Sequence, residues 1–185
     1  MIKKYRDIKE YIDADIKPFK FKSLKLKIWA FITRDFNYYR IRFCVHLRKL
    51  EYFSLHPKLF FILKWYHKYQ KNRIGRYFGW EVPSWTCEKG LHLWHPNVVI
   101  NDDARIGENA LFHGNNCIGR KDDSPNGNYS PKIGSNFNMG FGSVAFGKIE
   151  IGSNVVVGAN STVLKSFGDN ILIAGSPAIE KKTNI

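Results

Sequence analysis

The chain has 185 residues, 44% of them hydrophobic, which is enough for a packed core and excludes a disordered protein. Its three cysteines are scattered along the sequence, which argues against a disulfide framework or a zinc site and is typical of a reducing cytoplasm. The net charge of +13 is uneven: residues 1–79 contain 20 Lys and Arg against 6 Asp and Glu (+14), whereas residues 80–185 contain 9 against 10 (−1).

Residues 1–79 have helical patterns of apolar residues. A first short helix is predicted over residues 2–15, because apolar side chains recur every three to four positions and Pro18 follows. A second pattern begins after Ser23, a suitable N-cap, and extends to about Leu50 as one long or one broken helix.

A third helix is predicted from about residue 56 to residue 70. Pro57 fits its first turn, and Gly75 with Gly79 is expected to end the helical region. The domain boundary is therefore placed near residue 79. A signal peptide or membrane-spanning helix is not expected, because the longest apolar run, residues 59–63, is followed at once by a lysine.

The basic residues of this region alternate with large aromatic and aliphatic side chains. The simplest interpretation is that the apolar faces pack on each other while Lys and Arg are solvated. An anionic membrane surface bound through residues 1–79 is the main alternative. Nucleic acid is a third candidate, which no reader motif in the sequence favours.

From residue 100 to residue 163 an apolar residue recurs every six positions. Such a short unit cannot bury its apolar side chain alone, whereas stacked units bury a continuous column. Each unit is predicted to be a short strand ending in a tight turn, and three units to close one coil of about eighteen residues. The period jumps to fifteen between Ile118 and Ile133, so a loop, residues 120–131, is expected to leave the coil. The repeated apolar positions are Ile100, Ile106, Phe112, Ile118, Ile133, Met139, Ala145, Ile151, Val157 and Val163.

The period of six, the His95-Pro96 pair just before it, the interrupting loop and the ending Ala-Gly-Ser-Pro-Ala at 174–178 resemble the hexapeptide-repeat acyltransferases. Within that superfamily the sequence is most similar to serine O-acetyltransferases and their relatives in polysaccharide biosynthesis. The resemblance implies a mainly β protein: a left-handed parallel β-helix over residues 80–185, after an N-terminal α-helical region. It also implies a homotrimer with sites between subunits.

The resemblance implies direct transfer of an acetyl group from acetyl-CoA to a hydroxyl, without a covalent intermediate or a metal ion. His95 matches the family's catalytic histidine, the general base, and a structural histidine at a coil corner is the alternative. The family's orienting Asp falls on Trp80, so the neighbouring Glu81 is the candidate to orient His95, with a backbone carbonyl as rival. His113 is the second candidate for the base, although a structural role suits it better.

The acceptor is inferred from two departures from the family pattern. Trp94 and Ser130 stand where serine acetyltransferases hold the charged groups of the amino acid, and neither binds such groups well. A tryptophan beside the base offers a flat face for a sugar ring, with Trp85 as a possible companion, although Trp94 capping the apolar column is the alternative. The expected acceptor is therefore a sugar hydroxyl of a capsular, O-antigen or exopolysaccharide unit, and serine is the alternative acceptor.

The resemblance also places acetyl-CoA along the outside of the coils. Backbone N–H groups of Gly119 or Arg120 would polarise the thioester carbonyl, and Lys165 is a candidate for the CoA phosphates. Because acetyl-CoA is cytoplasmic, the protein is expected in the cytoplasm, with residues 1–79 holding it near the inner membrane face. A non-catalytic β-helix scaffold is the alternative from a different class. The residues expected along the pantetheine arm are Gly140, Phe141, Gly142, Gly158 and Ala159.

Overall fold

A computed structural model describes residues 4–55, 58, 60–121 and 129–181. The chain divides into two compact units, Met1–Tyr77 and Phe78–Ile185. Among the described residues, no helix combines the length and the apolar character that crossing a bilayer requires.

The first unit is built from helices. Ser23 caps the second of them, because its Oγ accepts a hydrogen bond from the N–H of Leu26 at 3.3 Å. The pattern that begins after Ser23 forms two helices separated by residues 33–35, so the broken-helix alternative is confirmed. The second of these helices continues five residues beyond Leu50. The helices are α1 (Tyr5–Ile16), α2 (Leu24–Ile32), α3 (Phe36–Leu55) and α4 (Phe61–Phe78), with a 3₁₀ turn at Lys17–Phe19.

The end of α4 differs from the prediction. Gly75 was expected to help end the helical region, but it is buried inside α4 and is therefore no terminator. Gly79 follows the last helical residue with a φ of +67°, the left-handed conformation that glycine adopts without strain at a helix end. The predicted first turn at Pro57 lies outside the described residues.

The interior of the helical unit combines apolar and charged side chains. Phe43 and Leu47 on α3 are fully buried. Arg48 is buried beside them, and its Nε donates to Asp15 on α1 at 2.7 Å while its Nη1 reaches Glu51 at 3.1 Å. This ion-pair cluster joins α1 to α3.

The second unit consists of fourteen short strands. Its residues follow the pattern predicted from the period of six: all ten repeated apolar positions are buried, which confirms that they face the interior. The strands are β1 (Trp80–Glu81), β2 (His92–Leu93), β3 (Val98–Ile100), β4 (Arg105–Ile106), β5 (Leu111–Phe112), β6 (Asn116–Gly119), β7 (Lys132–Ile133), β8 (Asn138–Met139), β9 (Val144–Phe146), β10 (Glu150–Ile151), β11 (Val156–Val157), β12 (Thr162–Val163), β13 (Leu172–Gly175) and β14 (Ala178–Lys181).

Successive strands visit three sheets in turn. Sheet A has the order β1-β3-β6-β9-β12, sheet B has β4-β7-β10, and sheet C has β2-β5-β8-β11-β13-β14. All pairs are parallel except β13 with β14. The unit is therefore a coil with three faces, and its handedness stays a prediction. The expectation of a mainly β protein fits this unit alone, since helices occupy most of the described residues before Gly79.

Asparagines form the corner between sheets B and C. All four adopt a positive φ, which asparagine tolerates better than most residues, and the first three each donate from their side chain to the next asparagine at 2.8–3.0 Å. Each follows a glycine by two positions, and a Cβ on Gly107 or Gly134 would lie 2.7 Å from the backbone of the next coil. The repeated unit is thus apolar-Gly-x-Asn. The stacked asparagines are Asn109, Asn136, Asn154 and Asn170.

The coil register locates the predicted loop. Val98 pairs with Asn116, eighteen positions later, whereas Ile106 pairs with Ile133, twenty-seven positions later. The coil between them therefore contains nine additional residues, within the expected loop at 120–131, of which residues 122–128 lie outside the described chain.

Candidate functional site

His95 lies at the corner between sheet C and sheet A, in a turn that has one extra residue. Leu93 pairs with Phe112, nineteen positions later, but Val98 pairs with Asn116 after only eighteen. The turn between Leu93 and Val98 therefore contains one residue more than the equivalent turn of the next coil. The backbone must bulge there, and the corner histidine is exposed.

Two neighbours hold the backbone of His95. The indole N–H of Trp80, one coil earlier, donates to the His95 carbonyl at 3.1 Å. On the other side, Gly114 has a φ of +109°, and a Cβ there would lie 2.5 Å from the Cβ of His95. The main chain is thus fixed on both sides. Among the described residues, the imidazole nitrogens have no hydrogen-bond partner, so the ring is open to a substrate.

Phe141 supplies an apolar neighbour to that ring. Its ring centroid lies 6.3 Å from that of His95, nearly edge-on, and 45% of the residue is exposed. Gly114 belongs to the coil between them and has no side chain to separate the two rings. The corner thus presents a basic nitrogen heterocycle next to an exposed aromatic face.

His113 lies one coil below Trp94 on the same corner. Its Nε2 is 3.0 Å from Oδ1 of Asn138, and the side chain is partly buried. With the amide oxygen facing the ring, Nε2 is the donor, so this nitrogen has no free lone pair with which to accept a proton. The arrangement suits the structural role better than that of a base.

Of the residues predicted to bind the acceptor, Trp94 lies next to His95 in the turn and is 38% exposed. Glu81 is an exposed residue of β1 on sheet A, and within the described residues no hydrogen bond joins it to His95. The predicted contact by which Glu81 would orient the His95 ring is therefore not made within one chain. The backbone contact from Trp80 is formed instead.

The other two predicted acceptor residues do not join the site within one chain. Trp85 lines a groove of about 600 Å³ on sheet B, the face opposite the corner where sheets C and A meet, so it makes no shared platform with Trp94. Ser130 is 2% exposed, and its Oγ lies 2.7 Å from Oδ1 of Asn101. Both expectations fail for a single chain because the residues lie elsewhere on the coil.

The small residues expected along the pantetheine arm do line the corner, below His95. A Cβ on Gly140 would lie 2.6 Å from the carbonyl oxygen of Val157, and a Cβ on Gly158 would lie 2.8 Å from the Cβ of Ala174. Gly142 has a φ of +72°. Stacking of the coils therefore already explains these glycines. Phe141 and Ala159 are the exposed side chains of this strip.

Gly119, Arg120 and Lys165 lie at a different corner, where sheet A meets sheet B. The Phe146 ring covers Gly119 so closely that a Cβ on Gly119 would overlap it. Arg120 lies 3.3 Å from a carboxylate oxygen of Asp103, and the Lys165 ammonium lies 5.3 Å from the Phe167 ring centroid. In a single chain these groups are separated from His95 by the width of sheet A.

Sequence reasoning missed the supporting residues of the site. Trp80 stood out only as a departure from an expected Asp, and nothing in the motif singled out Gly114. The sequence did contain a signal for Gly114: directly after His113, a glycine stands at the turn position that the larger Pro96 occupies one coil earlier. In the described part of the chain, no group of three or more His, Cys, Asp or Glu could hold a metal ion.

The sequence is similar to serine acetyltransferases. It is 34% identical over 124 residues to the serine acetyltransferase of Staphylococcus epidermidis, covering 60% of this chain and 58% of that protein. It is 31% identical over 113 residues to the enzyme of Buchnera aphidicola, covering 60% of this chain and 43% of the relative. The chain thus spans about half the length of these relatives. No family model matches the sequence.

The solved structures that resemble this chain share its fold. The serine acetyltransferase of Neisseria gonorrhoeae aligns with a TM-score of 0.70 at 21% identity, covering 97% of this chain and 67% of that one. The soybean enzyme complexed with serine also gives 0.70, at 22% identity, covering 95% and 70%. A serine acetyltransferase in complex with CoA gives 0.69 at 19% identity, covering 96% and 71%.

Proposed function

We propose that this chain is an acetyl-CoA-dependent O-acetyltransferase in which His95 is the general base. The observation that supports this most directly is the open imidazole on a backbone held by Trp80 and Gly114. A hydroxyl is a weak nucleophile until its proton is removed, and an imidazole is suited to that at neutral pH. The CoA complex among the similar structures supports the choice of acyl donor.

In this mechanism His95 accepts the proton of the acceptor hydroxyl while the oxygen attacks the thioester carbonyl. A C–O bond forms, the C–S bond breaks, and the thiolate of CoA takes up the proton from His95. No acyl group is attached to the protein at any stage. Phe141 borders the space where the acetyl group would approach the base.

The comparisons support serine as the acceptor better than the sugar expected from the sequence. The proteins named above are serine acetyltransferases, and one of the similar structures contains serine. Nothing in these comparisons supports a role in capsule or polysaccharide synthesis. Serine O-acetylation is therefore the first substrate to test.

A sugar hydroxyl remains a second candidate because of the chemistry of the corner itself. Trp94 presents an exposed face next to His95, and aromatic faces stack well on sugar rings. The turns stacked at this corner, residues 94–97, 113–115, 140–143 and 158–161, contain no Asp, Glu, Lys or Arg. These four turns themselves thus offer no charged side chain for an ammonium or a carboxylate.

We also propose a homotrimer, because a second copy could bring together His95 and the Gly119–Arg120 pair, which lie apart within one chain. Gly119 and Arg120 lie at the far edge of sheet A from His95, and a neighbouring copy could bring its own pair to that histidine. The outer side of sheet A between these corners includes the exposed or partly exposed apolar residues Val99, Cys117, Val144 and Phe146. Such a face suits contact with another subunit. An acetyl-CoA-dependent enzyme of this kind would work in the cytoplasm.

The test is CoA release from acetyl-CoA with L-serine, and separately with free sugars and nucleotide sugars. His95→Ala is expected to lower the rate by about 10²–10⁴-fold, whereas His113→Ala is expected to retain most of it. Turnover with serine selects the first candidate, and turnover only with a sugar selects the second. A wild-type protein that neither releases nor binds CoA would overturn the proposal in favour of a scaffold.

A further inference from the structure

Helix α2 exposes nearly all of its apolar side chains. Six large apolar residues in its nine positions are between 48% and 72% exposed, and Ala30 is the one buried residue of the helix. Soluble proteins seldom leave so many neighbouring large apolar groups in water, so such a surface indicates a binding partner. The exposed residues are Leu24, Leu26, Ile28, Trp29, Phe31 and Ile32.

The helix is attached to the protein along a narrow line. Ala30 is buried, and the Phe31 ring contacts Tyr38 of α3 at a centroid distance of 5.4 Å. A helix of nine residues is about 13.5 Å long, far too short to cross a bilayer. It can instead lie along a surface, with its apolar side chains projecting from the body of the helical unit.

The segment that contains α2 is basic, although Asp35 follows it directly and Lys20 is paired with Asp13 at 2.8 Å. Residues 16–34 contain six Lys and Arg and no Asp or Glu. Two of these, Lys25 and Lys27, lie on the helix between its apolar residues and are exposed. Long lysine side chains on an apolar helix can extend to the lipid headgroups while their methylene groups stay among the acyl chains.

We propose that α2 binds the interface of an anionic lipid bilayer, with its apolar side chains among the upper acyl groups and its lysines at the headgroups. Charge complementarity selects this occupant. A second copy of α2 would bring the same positive charge, and a nucleic acid would leave Ile28, Trp29 and Ile32 in water. Trp29 suits the interfacial depth, where tryptophan is enriched.

The experiment is flotation of the full-length chain with vesicles of phosphatidylcholine alone or mixed with phosphatidylglycerol. Binding is expected only to the anionic vesicles and should weaken as salt is raised. Lys25→Gln with Lys27→Gln is expected to lower the partition coefficient on the order of thirtyfold, because each lysine near such a surface contributes about a fivefold to sixfold gain.

The apolar contribution is tested with a matched pair of variants. Ile28 is 51% exposed on α2, and Ile179 is 50% exposed on β14 of the other unit. Ile28→Asp is expected to lower anionic-vesicle binding at least about tenfold, whereas Ile179→Asp should bind like wild type. Circular dichroism confirms that both variants are folded.

Three results would overturn the proposal. The first is no flotation of the wild type with anionic vesicles, and the second is equal loss of binding in both aspartate variants. The third is a lower molar mass of Ile28→Asp in light scattering with unchanged vesicle binding, which would assign α2 to contact between copies. The measurement uses neither acetyl-CoA nor an acceptor, so its outcome is independent of the proposed enzymatic activity.

Discussion

The indole N–H of Trp80 donates to the backbone carbonyl of His95 at 3.1 Å, across fifteen positions of sequence. Trp80 is 2% exposed, and its ring is stacked on Phe78 at a centroid distance of 4.8 Å. The resemblance places an orienting Asp at this position, and this chain has a tryptophan that binds the main chain instead. The proposed base is thus positioned through its backbone and not through its ring.

Trp80→Phe tests this positioning role. The substitution keeps an aromatic ring against Phe78 but removes the N–H and part of a buried ring. It should cost at least about 1 kcal/mol of stability, from the lost hydrogen bond and the space left behind, and lower kcat several-fold with little change in KM. Both steady-state kinetics and the melting temperature are measured. Trp65→Phe, an exposed tryptophan on α4, is the control and should change neither. A lower melting temperature with an unchanged kcat would show that Trp80 is only structural.

Gly114→Ala tests the other side of the same turn. A methyl group would lie 2.5 Å from the Cβ of His95, and the φ of +109° is strained for any residue with a Cβ. We expect the free energy of unfolding to fall by about 1–3 kcal/mol and the rate of acetyl transfer to fall markedly. Gly168→Ala is the matched control, because a Cβ added there would have no atom within 4 Å and the φ of Gly168 lies outside the left-handed region. Its stability should be equal to or slightly above that of wild type.

The column of apolar residues inside the coil could be predicted well from the sequence, since burial that recurs every six residues is a periodic property visible along the chain. All ten positions are buried. For the segment that forms α2 and α3, the sequence left two alternatives, one long helix or one broken helix. The break itself is made by local capping: Arg34 has a φ of +56°, and the N–H of Asp35 donates to the Ala30 carbonyl at 2.8 Å. In addition, Oδ1 of Asp35 accepts from the N–H of Asn37 at 2.8 Å.

The site was harder to predict because it depends on register between coils. His95 was predicted as the base by resemblance, but the turn that holds it has a single extra residue between Leu93 and Val98, which a count along one strand does not reveal. The separation of Trp85 from Trp94 likewise follows from which face each turn occupies. These two tryptophans are close in sequence, yet the coil places them on different faces.

Asp15→Ala is expected to destabilise the helical unit strongly. Asp15 and Arg48 are both essentially inaccessible, and removing the carboxylate leaves a buried guanidinium with Glu51 as its remaining carboxylate partner in the described ion-pair cluster. Breaking a buried pair in this way costs about 3–5 kcal/mol. The free energy of unfolding, followed by far-ultraviolet circular dichroism in urea, measures the effect.

Asp13→Ala is the matched control for that experiment. Asp13 pairs with Lys20 at 2.8 Å, but about half of each side chain is exposed. Exposed pairs contribute at most about 1 kcal/mol, so this variant should unfold close to wild type. Equal effects of the two substitutions would contradict the importance of the buried cluster.

His46 on α3 and His67 on α4 form a pair whose Nδ1 atoms are 2.7 Å apart, and both residues are buried. At this distance one ring donates and the other accepts, which requires at least one neutral ring. Burial lowers the pKa of each histidine from 6.5 to about 4, and the charges of the partner ring, Arg42, Lys49 and Arg73 act in the same direction for His46. Lys49 does so for His67.

These lowered pKa values predict that the helical unit loses stability in acid. Well above pH 6.5 both histidines are neutral whether the chain is folded or unfolded, so the pair contributes fully. As the pH falls from 6.5 towards 4, the unfolded chain binds protons that the folded chain cannot, and each histidine lowers the free energy of unfolding by up to about 1.4 kcal/mol per pH unit. The double variant His46→Gln with His67→Gln removes both titrations. The free energy of unfolding of this variant, relative to that of wild type, should therefore rise steadily as the pH falls from 6.5 to 4. It is measured by urea unfolding followed by the circular dichroism of the helices. A constant difference across that range would show that the pair does not titrate as the burial of the two rings requires.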